Sequence, residues 1–289
     1  MNPMLHREMF RCFDRTRVRW AEVDAQKIVF NGHYMTYVDT AISAYWRALA
    51  LPYETGFARL GGELYVKKAT LEYHASARYG DVLDVGVRCA GMGNSSLRFE
   101  MGIFCGNKLL TSAELLYVFA NPATQTSQPL PEALRTLIDD FEAGRSVSEL
   151  RSGDWNTLGR DALRLRMEVF VREQQVDPAL EVDGRDEAAR HVVAYNRLGM
   201  PVATGRLVTQ APGVGRIGRM AVDRDLRGSR LGRQVLDALV AASQARGDRE
   251  AVLHAQCSAE GFYRRAGFLP QGAPYEEAGI AHITMVRTF

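Results

Sequence analysis

The chain has 289 residues, long for one ordinary core and comfortable for two domains of about 140 each. Its apolar content of 46% and charged content of 24% are those of a soluble globular protein, and a formal charge of +2 argues against nucleic acid or an anionic membrane as partner. Charge is spread evenly, with 16 basic against 16 acidic residues in 1–145 and 20 against 18 in 146–289.

The N-terminal stretch MNPMLHREMFRCFDR lacks an apolar run long enough for a signal peptide, and nothing later has the length of a membrane span, so a cytoplasmic location is expected. The four cysteines, Cys12, Cys89, Cys105 and Cys257, stand at neither metal-ligand nor redox spacing and read as reduced thiols. A first strand is expected to end near Trp20. The stretch VRWAEVDAQKIVFNGHY follows from Val18, with one acid, Asp24, just before a helical pattern. Such an acid can be a helix cap, a surface charge or a catalytic group. Apolar residues then recur at Tyr34, Val38, Ala41, Ile42, Tyr45, Trp46 and Leu49, the spacing of a buried helical stripe. After Pro52 the period changes to two. Strands are predicted over 64–73, 83–89, 97–105 and 109–119, with turns at Gly80-Asp81 and Gly106-Asn107. Together they read as an antiparallel meander with one apolar face, covered by the helix.

The segment NPATQTSQPLP from Asn121 is a linker by composition, a short helix is expected over 131–142, and the polar stretch around Gly144 marks the division. The boundary is placed between 145 and 146. The second half reads as mixed α/β: a helix over 158–174, strands over 191–196, 202–209 and 216–222, and a helix over 229–246. A strand over 251–255, a helix over 259–266 and a last strand over 282–287 complete it.

A helix N-terminus offers free backbone N–H groups and partial positive charge, which polarise a carbonyl placed there. A carboxylate facing that carbonyl can attack it or activate a water. Asp24 before the helix fits this chemistry, and thioesters suit it because the thiolate leaves easily. The segment DAQKIVFNGHY, the helix after it and the YGDVLDV strand start resemble the 4-hydroxybenzoyl-CoA thioesterase (YbgC-like) branch of the hotdog fold, over about residues 14–142. The resemblance implies Asp24 as nucleophile or general base and the backbone N–H of Tyr34 as the group that polarises the thioester. His33 stands where that family usually has Asn. Glu22 and Glu63 are further acids near this point, within reach of a pocket but of a kind more often found as surface charges.

In the second half, Arg216 opens RIGRMAVDRDLRGSRLGRQVLDALV. A small-residue turn that opens a helix lets backbone N–H groups converge on an anion, and a diphosphate fits such a cradle. With GFYRRAGF from Gly261, YEEAGIAHITM from Tyr275 and EVFVREQQVDPALEVDGRD from Glu168, this half resembles the GNAT N-acetyltransferase superfamily, specifically its ElaA-like branch, over about 148–289. The resemblance implies acetyl-CoA held by the strand at Met220, Ala221 and Val222 and by the turn Arg227, Gly228, Ser229, Arg230, Leu231 and Gly232. Arg230 replaces the middle glycine of that family's R-x-x-G-x-G/A pattern. Tyr263 is implied as the acid that protonates the departing thiolate; alone, it also reads as an aromatic packed among Phe262 and Phe268. Glu168, Glu181, Asp183, His254, Glu276 and His282 stay open as candidates for the base.

The expected fold class is therefore α+β, a hotdog domain over 1–145 followed by a GNAT domain over 146–289. The expected function is a bifunctional CoA-ester enzyme that hydrolyses acyl-CoA and transfers an acetyl group from acetyl-CoA to an amine. Acetyl-CoA and coenzyme A are its expected substrates, with no metal. Hotdog domains pair edge to edge, which implies a homodimer or homotetramer. The alternative is a non-catalytic hotdog domain that senses acyl-CoA or serves as an oligomerisation platform.

Overall fold

A computed structural model describes residues 5–289. The chain forms two compact units, Met1–Val147 and Ser148–Phe289.

The first unit wraps an antiparallel sheet around one long helix. Strand β1 (Cys12–Arg17) leads through a short 3₁₀ turn at Trp20–Glu22 to helix α1 (Asn31–Ala48). Helix α2 (Tyr53–Leu60) and strands β2 (Glu63–Tyr73), β3 (Val82–Met92), β4 (Ser96–Cys105) and β5 (Lys108–Ala120) follow, then helix α3 (Glu132–Glu142). Along α1 the buried residues are Tyr34, Tyr37, Val38, Ala41, Ile42, Ala44, Tyr45 and Trp46, a stripe of three- and four-residue steps. It packs on the apolar face of β3 and β4, where Val85 pairs with Ile103 and Val87 with Met101, all fully buried. The Trp46 ring stands edge-on to Phe57 at 5.2 Å and to Phe99 at 5.8 Å. A Glu142 carboxylate oxygen accepts from Tyr45 Oη and from the Cys89 N–H, both at 2.7 Å, and so ties the end of α3 to α1 and β3.

The strand order is β1-β3-β4-β5-β2. This corrects the expected meander. β3, β4 and β5 run as hairpins, but β2 crosses to the far edge and pairs with β5 alone. Hydrophobic alternation fixes which residues form strands, not which neighbours they choose. Helix α2 was not expected from the sequence.

The second unit is a seven-stranded sheet of order β11-β12-β10-β9-β8-β7-β6. Its strands are β6 (Ser148–Gly153), β7 (Arg190–Asn196), β8 (Pro201–Ala211), β9 (Val214–Val222), β10 (Glu250–Gln256), β11 (Leu269–Glu277) and β12 (Ile280–Thr288). Its helices are α4 (Trp155–Arg166), the one-turn α5 (Pro178–Glu181), α6 (Leu231–Ala245) and α7 (Glu260–Arg264). A π-helical stretch, Met167–Glu173, continues α4 where the sequence suggested one helix. Strand β8 is buried along most of its length and touches both α4 and α6. Strands β6 and β11 were not foreseen. Both are mostly exposed outer strands without a clean apolar alternation.

Candidate functional site

In the first unit, the loop before α1 is a built structure. Glu22 is buried, which corrects its reading as a surface charge. Its carboxylate accepts from the Arg19 N–H at 2.7 Å, from the Arg19 guanidinium, and from Tyr37 Oη at 2.7 Å. Burial alone would raise its pKa; the bonds from Arg19 and Tyr37 outweigh this and hold the carboxyl below its usual range. Ala77, fully buried, receives the loop on one side and α1 on the other. Its carbonyl accepts from the Val29 N–H at 2.9 Å and its own N–H donates to Tyr34 Oη at 2.8 Å.

Asp24 sits in this loop, half-buried, between Val23 and Val29, which form an isolated antiparallel bridge. Its backbone N–H donates to Ile28 O, and its Oδ1 accepts from the Gln26 N–H at 2.8 Å. It is therefore not the cap of α1. The residue at that position is Phe30, which makes no side-chain cap bond, so the first N–H groups of the helix carry no side-chain acceptor from it. The Phe30 ring lies over Gly32, where a Cβ would come within 2.8 Å of it, and faces His33 at 6.0 Å. Asn31 and Gly32 are exposed at this end of the helix, His33 is half-buried, and the Tyr34 side chain is buried. Glu63 lies on β2 as an exposed acid that accepts from Tyr65 Oη at 3.2 Å.

In the second unit, β9 and β10 are the only parallel neighbours described, and their ladder is short. It runs from Val214 and Glu250 to Arg216 and Val252 and then stops. Beyond it the two strands continue, β9 paired with β8 and β10 with β12, so the sheet splits into a wedge. Within the split part, β9 has a bulge: Arg219 and Met220 stand against the single residue Gly205 of β8. Arg219 carries the irregular backbone there, with φ +52°. The bulge and the parting leave backbone groups of Gly218–Val222 without a ladder on the wedge side.

The turn at the end of β9 returns to the same place. A 3₁₀ turn (Arg224–Leu226) is followed by Gly228 at φ +87° and Arg230 at φ +71°, ψ 0°. Arg230 thus adopts the left-handed geometry that a glycine would take without strain. It is the cap residue of α6 and makes no side-chain cap bond. A Cβ on Gly232 would lie 3.1 Å from Val222 and 3.8 Å from the Phe262 ring, so the start of α6 rests on the end of β9 beside α7. Ser229 Oγ donates to Leu226 O at 2.6 Å, within the turn. Arg227 is the member of the expected cradle that points elsewhere: its guanidinium forms a two-pronged pair with Glu173 at 2.6 and 2.7 Å. Tyr263, on α7, is buried against Phe262 and Phe268 at ring distances of 4.9 and 6.2 Å. Burial pushes its phenol up to about 12, and among the described residues its hydroxyl makes no hydrogen bond.

Residues 157–289 match the family model for the acetyltransferase (GNAT) domain, and residues 26–112 match the thioesterase superfamily model. The second unit is similar to the uncharacterized N-acetyltransferase YjcF of Bacillus subtilis, 32% identical over 129 residues, which span 44% of this chain and 91% of that protein. It is similar to protein ElaA of Escherichia coli, 36% identical over 132 residues, 43% of this chain and 84% of that one. The chain belongs to the GNAT family. Ahead of that domain it carries a thioesterase-superfamily domain of the hotdog fold. A crystal structure of a thioesterase from Thermus thermophilus, complexed with coenzyme A and Zn, is 28% identical; the match covers 48% of this chain and 98% of that one, with a TM-score of 0.42.

The acids of the GNAT unit are mostly committed. Arg166, buried, binds Glu181 through Nε and Asp186 at 2.7 Å, while Arg206 binds Asp186 at 2.8 Å and Asp183 at 2.6 Å. Arg219 adds contacts to Glu181 at 3.1 Å and Asp183 at 3.3 Å. The Arg206 bonds hold Asp183 well below the usual carboxylate range. This network removes Glu181 and Asp183 as free bases. Glu168 pairs with Arg172 on the helix surface at 2.8 Å, and His282 Nδ1 contacts Ile280 O at 2.7 Å. Sequence reading missed the network because its partners lie on four elements, and only the run EVDGRD is contiguous. Among the described residues no group of three metal-ligating side chains occurs.

Proposed function

We propose that the chain acts on coenzyme A thioesters at two places. The GNAT unit transfers an acetyl group from acetyl-CoA to an amine, and the hotdog unit hydrolyses acyl-CoA. The observation that carries this reading is the parting of β9 and β10 with the uncapped start of α6 at its end. An extended arm that bears amides fits between such strands, and a diphosphate fits the N–H groups of Gly228 to Gly232. In this reading Met220, Ala221 and Val222 pair with the arm, and Tyr263 gives its proton to the thiolate. Arg227 either leaves Glu173 to meet phosphate or stays as a strut of the turn.

In the hotdog unit the thioester carbonyl rests at the open end of α1, polarised by N–H groups there, with Tyr34 as the named donor. Asp24 attacks the carbonyl or takes a proton from water, and the thiolate leaves. The bridge and the Asx turn hold the carboxylate in place, which shortens the search for the reactive geometry. The edge strand β2 exposes Tyr65, Val66 and Tyr73. An unpaired edge with apolar side chains is a pairing surface, so we propose that two copies join along β2.

The test is thiol release by the full chain from acyl-CoA esters with short, long and aromatic acyl groups, with and without a primary amine. Free acid without amine supports the hydrolase, and amide with amine supports the transferase. Release in neither condition would sink the reading.

A further inference from the structure

The reading above leaves the acetyl acceptor and the base without a place, and the inference here rests on it. Arg216 is the last β9 residue paired with β10, opposite Val252. His254 is two residues further on, so it is the first residue of that face beyond the parting. Its Nδ1 lies 3.3 Å from Arg216 Nη2 and 3.4 Å from Glu277 Oε2. Nδ1 can serve only one of them in a neutral ring; with the ring proton on Nδ1 and donated to Glu277, Nε2 carries the free lone pair and is the atom available to a substrate. Around it the registers assemble a ring-lined patch. Gln256 stands opposite His282, and His282 opposite Tyr275. The Tyr275 ring is edge-on to His254 at 5.8 Å and stacked on His282 at 6.2 Å. Tyr275 Oη is buried without a hydrogen-bond partner among the described residues.

The other acids fall away by placement. Glu181 and Asp183 are held by arginines, Glu168 by Arg172, and Glu276 lies on the opposite face of β11 from Tyr275 and Glu277. We propose that His254 is the general base of acetyl transfer, and that the acceptor is a primary amine received between Glu277 and the Tyr275–His282 ring pair. The acceptor arrives as an ammonium, drawn by the Glu277 carboxylate. His254 Nε2 takes one proton, directly or through a water, and the freed lone pair attacks the acetyl carbon. The C–N bond forms, the C–S bond breaks, and the thiolate leaves with the Tyr263 proton. The second proton on nitrogen passes to water as the amide forms. The balance is ammonium plus acetyl-CoA to amide, coenzyme A and one proton.

Burial, and then Arg216, lower the His254 pKa from its ordinary value; Glu277 pulls it up and His282 down. The ring is therefore neutral, and able to accept a proton, at neutral pH. The ascending limb of kcat/KM against pH reports it. Arg216→Gln removes a cation and moves that limb to higher pH; Glu277→Gln removes an anion and moves it to lower pH.

The experiment uses the full chain, acetyl-CoA, and benzylamine, phenethylamine and putrescine as acceptors. His254→Gln, close in volume to histidine, is expected to cut kcat by about a hundredfold. Its affinity for coenzyme A by calorimetry stays within about twofold, since no CoA contact is assigned to His254. Added imidazole is expected to restore part of the rate to His254→Ala. A His254→Gln rate within a few-fold of the parent, or a limb unmoved by both charge variants, overturns the assignment. Coenzyme A binding with none of the three amines acetylated overturns the acceptor class. Absence of coenzyme A binding overturns the reading beneath, and this proposal with it.

Discussion

Arg230→Gly separates the backbone of the α6 turn from its side chain. Arg230 is exposed and held at φ +71°. That geometry costs an L-residue about 1–2 kcal/mol, and glycine adopts it freely. Against the gain stands the extra freedom of glycine in the unfolded chain, about 0.4–1 kcal/mol. The net expectation is a stabilisation of about 0.5–1 kcal/mol, or roughly 1–4 °C in the midpoint of a unit this size. Circular dichroism melts of the full chain, with the GNAT transition followed, measure it. Calorimetry with coenzyme A gives the second half of the prediction. If backbone N–H groups form the cradle, affinity falls by less than about tenfold, the share of one exposed cation near a phosphate. A destabilised variant would refute the strain argument. A loss of all coenzyme A binding would show that the guanidinium, not the turn, holds the phosphates.

Three further outcomes follow from the same geometry. Tyr263→Phe should fold about as stably as the parent, since the hydroxyl it removes has no protein partner, while single-turnover transfer slows by about a hundredfold; an unchanged rate makes Tyr263 a packing residue. Asp183 has a folded pKa below its unfolded value, so its stabilisation is complete above the unfolded value and lost as pH falls through the folded one. Urea midpoints of the GNAT transition should therefore drop below about pH 4, and Arg206→Gln should flatten that dependence. Val66→Glu on the exposed edge of β2 should shift the full chain toward the monomer in light scattering, and an unmoved mass would place the interface elsewhere.

What the sequence discloses and what it hides follow from the range of each interaction. Helix α1 is legible because its stripe is local: Tyr34, Val38, Ala41, Ile42 and Tyr45 repeat every three or four residues. The cores of β3, β4 and β5 are legible for the same reason at period two. The place of β2 is not, because its exposed pattern says nothing of which edge it joins. The cradle at Gly228 to Gly232 is visible as a turn opening a helix, but the Arg227–Glu173 pair spans 54 residues and has no local sign. Glu22 looks like any surface acid until Tyr37, one helix away, closes over it. His254 looks like a satisfied strand histidine; only the stop in the β9–β10 ladder places it at an opening. Asp24 stands between the two cases: its sequence position raises three roles, and the structure removes the cap.

The central claim is that one chain holds two independent thioester sites, and a paired assay of two variants in the full-length protein tests it most directly. Amine-independent hydrolysis and amine-dependent transfer are measured for Asp24→Asn and Tyr263→Phe under the same conditions. A double dissociation is expected. Asp24→Asn loses hydrolysis by at least about a hundredfold, or ~2.7 kcal/mol of barrier, and keeps transfer; Tyr263→Phe does the reverse. Hydrolysis that survives in Asp24→Asn, or that falls in Tyr263→Phe, would contradict it.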